Sequence, residues 1–179
     1  MAKKTSKRKT LNILDKNKKH SQFDYTEIFR HIRTNIEFST VDKDIKSICI
    51  TSSQAGEAKT TLSINLAYIF ATKYNRVLLI DCDLRKNTLH KYMGLSNKHG
   101  LTDALLEYRQ TKKLNVEYFQ SVNDPSFAGT MAVLTSGIHI PNPSELLGSH
   151  VFKDYINELK KSFDFIIIDC APVGMISDA

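Results

Sequence analysis

The feature that most constrains this chain is a set of four short apolar runs: Ser47-Ile48-Cys49-Ile50-Thr51, Val77-Leu78-Leu79-Ile80, Met131-Ala132-Val133-Leu134 and Phe165-Ile166-Ile167-Ile168. Each is four or five residues long and rich in branched side chains, with no polar residue alternating through it. A strand that faces water on one side alternates polar with apolar residues, so runs like these predict strands buried on both faces, as in a parallel sheet. Helical spacing fills the gaps, most clearly over Thr60 to Tyr74 and His150 to Lys161, with shorter patterns at Thr102 to Tyr108 and Ser144 to Leu147. Strand and helix in alternation predict a doubly wound α/β domain, a mostly parallel sheet flanked by helices.

Charge divides the chain unevenly. Residues 1–20 hold eight basic side chains against the single acid Asp15, which is +7, while the whole chain carries +6, leaving −1 for the rest. The basicity thus belongs to an arm, expected to be disordered over 1–22, and the folded domain over 23–179 shows no charge signature of nucleic-acid binding. No stretch approaches the roughly 20 apolar residues of a membrane span, and no apolar signal core follows the basic N-terminus, so a cytoplasmic protein is expected. Cys49, Cys82 and Cys170 are an odd count without metal-ligand spacing, sited in or just after apolar runs, and read as reduced core or near-core thiols. Ahead of the first strand, Tyr25, Ile28, Phe29, Ile32 and Ile36 predict an amphipathic helix from Tyr25 to Phe38, with Asp24 at its N-cap.

The chemistry sits at the strand ends. The first strand runs through Ser52-Ser53-Gln54-Ala55-Gly56-Glu57-Ala58-Lys59-Thr60-Thr61 into a helix, the setting of a phosphate-binding loop. There, backbone N–H groups cradle phosphates, a lysine reaches the β- and γ-phosphates and a threonine hydroxyl ligates Mg²⁺. The general pattern G-x-x-x-x-G-K-[ST] would place glycines where Ser53 and Ala58 stand. The second strand ends in Asp81-Cys82-Asp83-Leu84-Arg85 and the last in Asp169-Cys170-Ala171-Pro172. Open α/β sheets bind ligands beyond the carboxyl ends of their strands, so Lys59, Thr60, Asp81, Asp83 and Asp169 are expected on one rim, a Mg²⁺–nucleotide site. The six histidines show neither nucleophile-elbow nor metal spacing.

At these residues the chain resembles the bacterial tyrosine kinases of the capsule and exopolysaccharide machinery. Their P-G-E-G-K-[ST] loop reads here Ala55-Gly56-Glu57-Ala58-Lys59-Thr60; their apolar-D-x-D-x-R motif reads Leu78 to Arg85; and their apolar-D-x-P-P motif reads Ile166 to Pro172. Their E-x-x-R-x-x-R helix is matched by Glu27, Arg30 and Arg33, and an Asn-Pro-Ser-Glu-Leu-Leu segment stands at 142–147. The resemblance implies ATP and Mg²⁺ as cofactors and a nucleotide loop made by Gly56, Glu57, Ala58, Lys59, Thr60 and Thr61. It implies Lys59 on the phosphates, with Thr60, Asp81 and Asp169 around the metal. Asp83 would accept the proton of a tyrosine hydroxyl, and Arg85 would orient that carboxylate or the acceptor.

It further implies protein tyrosine substrates, and self-association through Glu27, Arg30 and Arg33. A transmembrane polysaccharide chain-length regulator would act as activating partner and recruit the chain to the inner face of the membrane. Three departures stand out: Ala58 for the loop glycine, Ala171 for the first proline, and the end at Ala179, where family members continue into further strands and a tyrosine-rich tail. The chain is therefore expected to be C-terminally truncated relative to that family. Two other classes stay open, a MinD/ParA-type ATPase switch and a non-catalytic adaptor with a degraded loop. The first carries an extra lysine early in the loop, and Ser53 to Gly56 has none.

Overall fold

A computed structural model describes residues 25–39 and 45–173. The basic arm and the expected N-cap Asp24 lie outside the described residues. The elements in order are α1 (Tyr25–Phe38), β1 (Ser47–Ile50), α2 (Lys59–Ala71), β2 (Arg76–Asp81), α3 (Leu89–Met93), α4 (Leu101–Thr111), β3 (Gln120–Val122), β4 (Thr130–Leu134), α5 (Pro143–Leu147), α6 (His150–Ser162) and β5 (Phe165–Asp169). The five strands form one sheet in the order β1-β5-β2-β4-β3. Four are parallel and β3 runs antiparallel along β4.

The alternation of strand side chains splits the core in two. On one face Val77, Leu79, Met131, Val133, Phe165 and Ile167 pack against Leu66, Ile69 and Phe70 of α2. On the other, Leu78, Ile80, Leu134, Ile166 and Ile168 meet α4 through Leu101 and Leu105 and α6 through Tyr155 and Leu159. Both faces of β2 and β5 are therefore closed, as their unbroken apolar runs require. Helix α2 is apolar on nearly every side because it is sandwiched: the sheet covers one flank, and α1 brings Phe29, Ile32 and Ile36 to the same cluster.

One expectation needs correcting. The first strand is not buried on both faces; among the described residues it is the sheet edge, half-buried along its length, and Cys49 is exposed rather than a core thiol. Strand order is a tertiary property, so an apolar run does not reveal which strand takes the edge. Arg33 makes contacts within the fold. Its Nη1 donates to the Ile69 carbonyl at 2.8 Å and to Thr72 Oγ1 at 3.2 Å, placing a cation on the C-terminal end of α2, where carbonyls lack helical partners. Glu27 and Arg30 do lie on the surface, paired at 3.0 Å and each about half exposed.

Candidate nucleotide site

The site lies at the carboxyl ends of β1, β2 and β5, where the register sets Asp81 directly beside Asp169 and Ile50 beside Asp169 on the other side. The loop from β1 to α2 is fastened at its base, with Thr51 Oγ1 donating to the Ala171 carbonyl at 2.7 Å and Val173 N donating to the Ser52 carbonyl at 2.9 Å. Ala171, the residue in place of a proline, is buried and takes part in this joint. Glu57 turns back onto the loop: its Oε2 accepts from Ser53 N at 2.9 Å and Gln54 N at 3.1 Å. Those bonds, the one from Gln54 foremost, hold its carboxyl below the usual range. Glu57 thus braces the loop from outside.

The chain enters α2 through two residues with positive φ, Gly56 at 91° and Ala58 at 61°. Ala58 is the N-cap, with ψ 21°, in the left-handed region, and its carbonyl accepts the first helical bond from Leu62 N at 2.9 Å. An L-residue is strained there by ~1–2 kcal/mol, which glycine avoids. The glycine missing from the sequence pattern is therefore missing at a position whose backbone calls for one.

Four of the expected side chains converge with short contacts. Lys59 Nζ lies 2.7 Å from Asp83 Oδ2, an ion pair with both side chains at most 10% exposed. Asp83 Oδ1 accepts from Lys86 N at 2.9 Å, and Asp83 N donates to Asp81 Oδ1 at 3.1 Å. Thr60 is buried at the first turn of α2, next to Lys59. Ser63 Oγ stands 3.0 Å from Asp169 Oδ1 and 3.0 Å from the Lys59 carbonyl. Ser63 was absent from the sequence reading, although its place one helical turn after Lys59 puts both on the same face of α2 and carried the signal. Burial, with Asp169 and Asp83 beside it, pushes the Asp81 carboxyl well above the usual range; burial also raises Asp169.

One oxygen on each of these two carboxylates, Asp81 Oδ2 and Asp169 Oδ2, is buried and has no hydrogen-bond partner among the described residues. Uncompensated burial of a carboxylate oxygen is costly, and a cation between adjacent strand ends relieves it. The donor set suits Mg²⁺, a hard ion satisfied by carboxylate and hydroxyl oxygen together with phosphate and water. Among the described residues no group of three or more His, Cys, Asp or Glu side chains could hold a metal unaided, so the remaining ligands would have to come from outside the chain.

Arg85 leaves this cluster: its Nη2 donates to Ser144 Oγ at 3.2 Å, linking the loop after β2 to the Asn142–Leu147 segment. Glu27, Arg30 and Arg33 stand apart, on α1. Thr61, on α2 next to Thr60, turns its backbone carbonyl to Asn65 Nδ2 at 2.6 Å.

Comparison with known proteins adds an independent line. A family described as an AAA domain matches residues 45–177. The chain is 43% identical over 154 residues to the tyrosine-protein kinase YwqD of Bacillus subtilis (strain 168), which covers 86% of this chain and 62% of YwqD. It therefore spans less than two thirds of that relative's own length. It is 37% identical over 179 residues to CapB of Staphylococcus aureus, covering all of this chain and 73% of CapB. The crystal structure of the chimerical protein CapA2B2 superposes with a TM-score of 0.77 at 34% identity, over 94% of this chain and 69% of that one. A plasmid partition protein from Borrelia burgdorferi is more distant, at a TM-score of 0.52 and 24% identity over 71% of this chain and 56% of that one, a likeness of fold alone.

Proposed function

The chain belongs to the bacterial tyrosine-protein kinase family of YwqD and CapB, and from that membership we propose that it is an ATP-dependent protein-tyrosine kinase acting in capsular or exopolysaccharide synthesis. The observation that carries the reading is the convergence of Lys59, Thr60, Asp81, Asp83 and Asp169 at one rim, with an orphaned oxygen on each of two adjacent carboxylates. In this reading Thr60, Asp81 and Asp169 hold Mg²⁺, which when bound supplies charge neutralisation to the phosphates. Lys59 binds the β- and γ-phosphates, and the amides at the start of α2 complete the cradle.

The Lys59–Asp83 pair gives the site an order of events. Without nucleotide each group neutralises the other. When Lys59 turns to the phosphates, Asp83 loses its cation and becomes a base able to accept a tyrosine hydroxyl proton. Phosphoryl transfer asks a protein chiefly for positioning and charge stabilisation; the first turn of α2 holds Lys59, and the loop directly after β2 holds Asp83.

Partners follow from the same membership. The activating partner would be the cytoplasmic tail of a transmembrane polysaccharide chain-length regulator, bringing a cytoplasmic kinase to the inner membrane face. Among the described residues no helix is long and apolar enough to cross a membrane itself. Self-association would use Glu27, Arg30 and Arg33, of which Glu27 and Arg30 lie on the surface and Arg33 also bonds the end of α2. Ala58 favours one second reading, an adaptor whose strained loop no longer turns over ATP. Calorimetric titration with Mg²⁺–ADP, combined with phosphotyrosine detection after Mg²⁺–ATP, decides among these. Binding abolished by Lys59→Met together with phosphotyrosine in the wild type is expected. Binding without phosphotyrosine in the presence of the partner tail supports the adaptor, and equal affinity in Lys59→Met overturns the site.

A further inference from the structure

The two carboxylates at the rim are anchored in the same way. Asp81 and Asp169 are register partners on β2 and β5, and such partners project from the same face of a sheet. It is the face that α2 covers, since Val77 and Leu79 of β2 and Phe165 and Ile167 of β5, the alternate residues before them, pack against Leu66, Ile69 and Phe70. Each carboxylate is held through Oδ1: Asp81 accepts from the Asp83 amide at 3.1 Å, and Asp169 accepts from the Ser63 hydroxyl at 3.0 Å. Each leaves Oδ2 buried and without a hydrogen-bond partner among the described residues. The first anchor is backbone, fixed by the turn after β2. The second is a single side-chain oxygen on α2, from a fully buried residue.

We propose that Ser63 is a positioning residue of the site: its hydroxyl fixes the Asp169 carboxylate through Oδ1, leaving Oδ2 as the oxygen that meets a divalent cation, and so sets how strongly that cation supports nucleotide binding. A hydroxyl carries one proton, and Ser63 Oγ has two acceptors in reach, Asp169 Oδ1 and the Lys59 carbonyl, each at 3.0 Å. The carbonyl does not need it, because the i to i−4 pattern of a helix already brings the Ser63 N–H to the same oxygen. A serine within a helix commonly gives its hydroxyl proton to that carbonyl. Beside an ionised carboxylate the other acceptor wins, since a hydrogen bond to a charged oxygen is roughly twice as strong as one between neutral groups.

The same hydroxyl joins the two halves of the site. Ser63 lies one turn beyond Lys59, the first residue of α2, and Asp169 is the last residue of β5. The helix that carries the phosphate-binding lysine is thereby tied to the strand end that carries a metal carboxylate. Partners that hydrogen-bond a metal ligand hold it in its binding orientation, and losing one costs about 10–100-fold in metal affinity. Alanine at 63 deletes only the oxygen and keeps a strong helix former at that position, so Asp169 loses its anchor while α2 keeps its shape.

This role rests on the assignment of Mg²⁺ to Asp81 and Asp169 made above, and one experiment tells the two apart. The full chain and its Ser63→Ala variant are titrated calorimetrically with ADP, once with excess Mg²⁺ and once in chelator, with circular dichroism as the folding control. Mg²⁺ should tighten ADP binding to the wild type. In Ser63→Ala that gain should shrink by about tenfold or more, with ADP affinity in chelator unchanged. A helix or loop disturbed by the substitution would weaken both titrations alike, so the ratio between them reads positioning and not general damage. Ser63→Thr keeps the hydroxyl and should restore most of the gain. An equal gain from Mg²⁺ in wild type and Ser63→Ala overturns the role of Ser63 while the metal assignment stands, and so does an equal weakening under both conditions. A folded Ser63→Thr that loses the gain as Ser63→Ala does overturns it as well. A wild type whose ADP affinity ignores Mg²⁺ overturns the metal assignment, and the role of Ser63 with it.

Discussion

Replacing Ala58 with glycine separates two ways in which one methyl group can act. The residue holds φ 61° and ψ 21° in the structure, a conformation that strains an L-residue by ~1–2 kcal/mol and leaves glycine unstrained. Glycine also gives the unfolded chain more freedom, which opposes the gain by roughly 0.4–1 kcal/mol. The balance favours Ala58→Gly by about 0.5–1 kcal/mol. For a chain of this size each kcal/mol moves Tm by roughly 2–4 °C, so an increase of about 1–4 °C is expected. Because the strained conformation is already present without nucleotide, its relief stabilises free and bound protein alike and cancels from the binding constant. A tighter Kd for Mg²⁺–ADP can then come only from removing the methyl beside the phosphates. Thermal melting followed by circular dichroism, with calorimetric titration alongside, reads the two effects separately. Lys112, also left-handed at φ 55° but at the C-cap of α4, is the control: Lys112→Gly should raise Tm without touching Kd. If Lys112→Gly stabilises and Ala58→Gly destabilises, the left-handed loop is not the resting state and the reasoning fails.

Three further outcomes are expected. Asp81 holds its proton more tightly when folded than unfolded, so without a cation its contribution to stability is present at low pH and is lost as pH rises through and above the ordinary carboxylate range. Asp81→Asn should remove that slope, melt higher than wild type at neutral pH in chelator and lose Mg²⁺-dependent nucleotide binding; identical pH–Tm profiles would contradict this. Lys59→Met strands a buried carboxylate and should cost about 3–5 kcal/mol in urea unfolding, most of it recovered in Lys59→Met/Asp83→Asn, with neither variant binding ADP. Arg33→Ala removes charged hydrogen bonds from the end of α2 and should cost about 1.5–3 kcal/mol. Arg30→Ala should change stability by less than about 1 kcal/mol, so light scattering on that variant tests self-association without unfolding the domain.

Much of this could be read from residue order because the relevant physics is local or periodic. Unbroken apolar runs revealed β2 and β5 as interior strands, and the apolar spacing of Tyr25 to Phe38 matched α1 from end to end. A lysine one residue into a helix and aspartates at strand ends converge wherever parallel strands share a rim, so the Lys59, Asp81, Asp83 and Asp169 cluster was legible before any contact was known. Strand β3 was not: three residues, two of them polar, joined to β4 at the sheet edge carry no periodicity to detect. The contact Arg33 makes within the fold was not legible, because the Glu27, Arg30, Arg33 spacing describes one helix in isolation, while the Ile69 carbonyl that accepts from the guanidinium lies 36 residues away. Cys49 followed the same logic, since edge position depends on strand order rather than on composition.

Strand order also fixes when the site can exist. Strand β1, which leads into the phosphate loop, is paired only with β5 among the described residues, and β5 is the last described strand, more than a hundred residues later. Pairings of such long sequence separation form late, because loop-closure entropy must be met before the contact repays it. During synthesis β2, β4 and α4 have partners as they emerge, whereas β1 and its loop wait for Phe165–Asp169 to slide between β1 and β2. The same insertion delivers Asp169 to Asp81. Sheet closure and assembly of the nucleotide rim are thus one kinetic event, so a nascent chain stalled before Phe165 would expose an apolar β1 and bind no nucleotide, however well its other helices had formed.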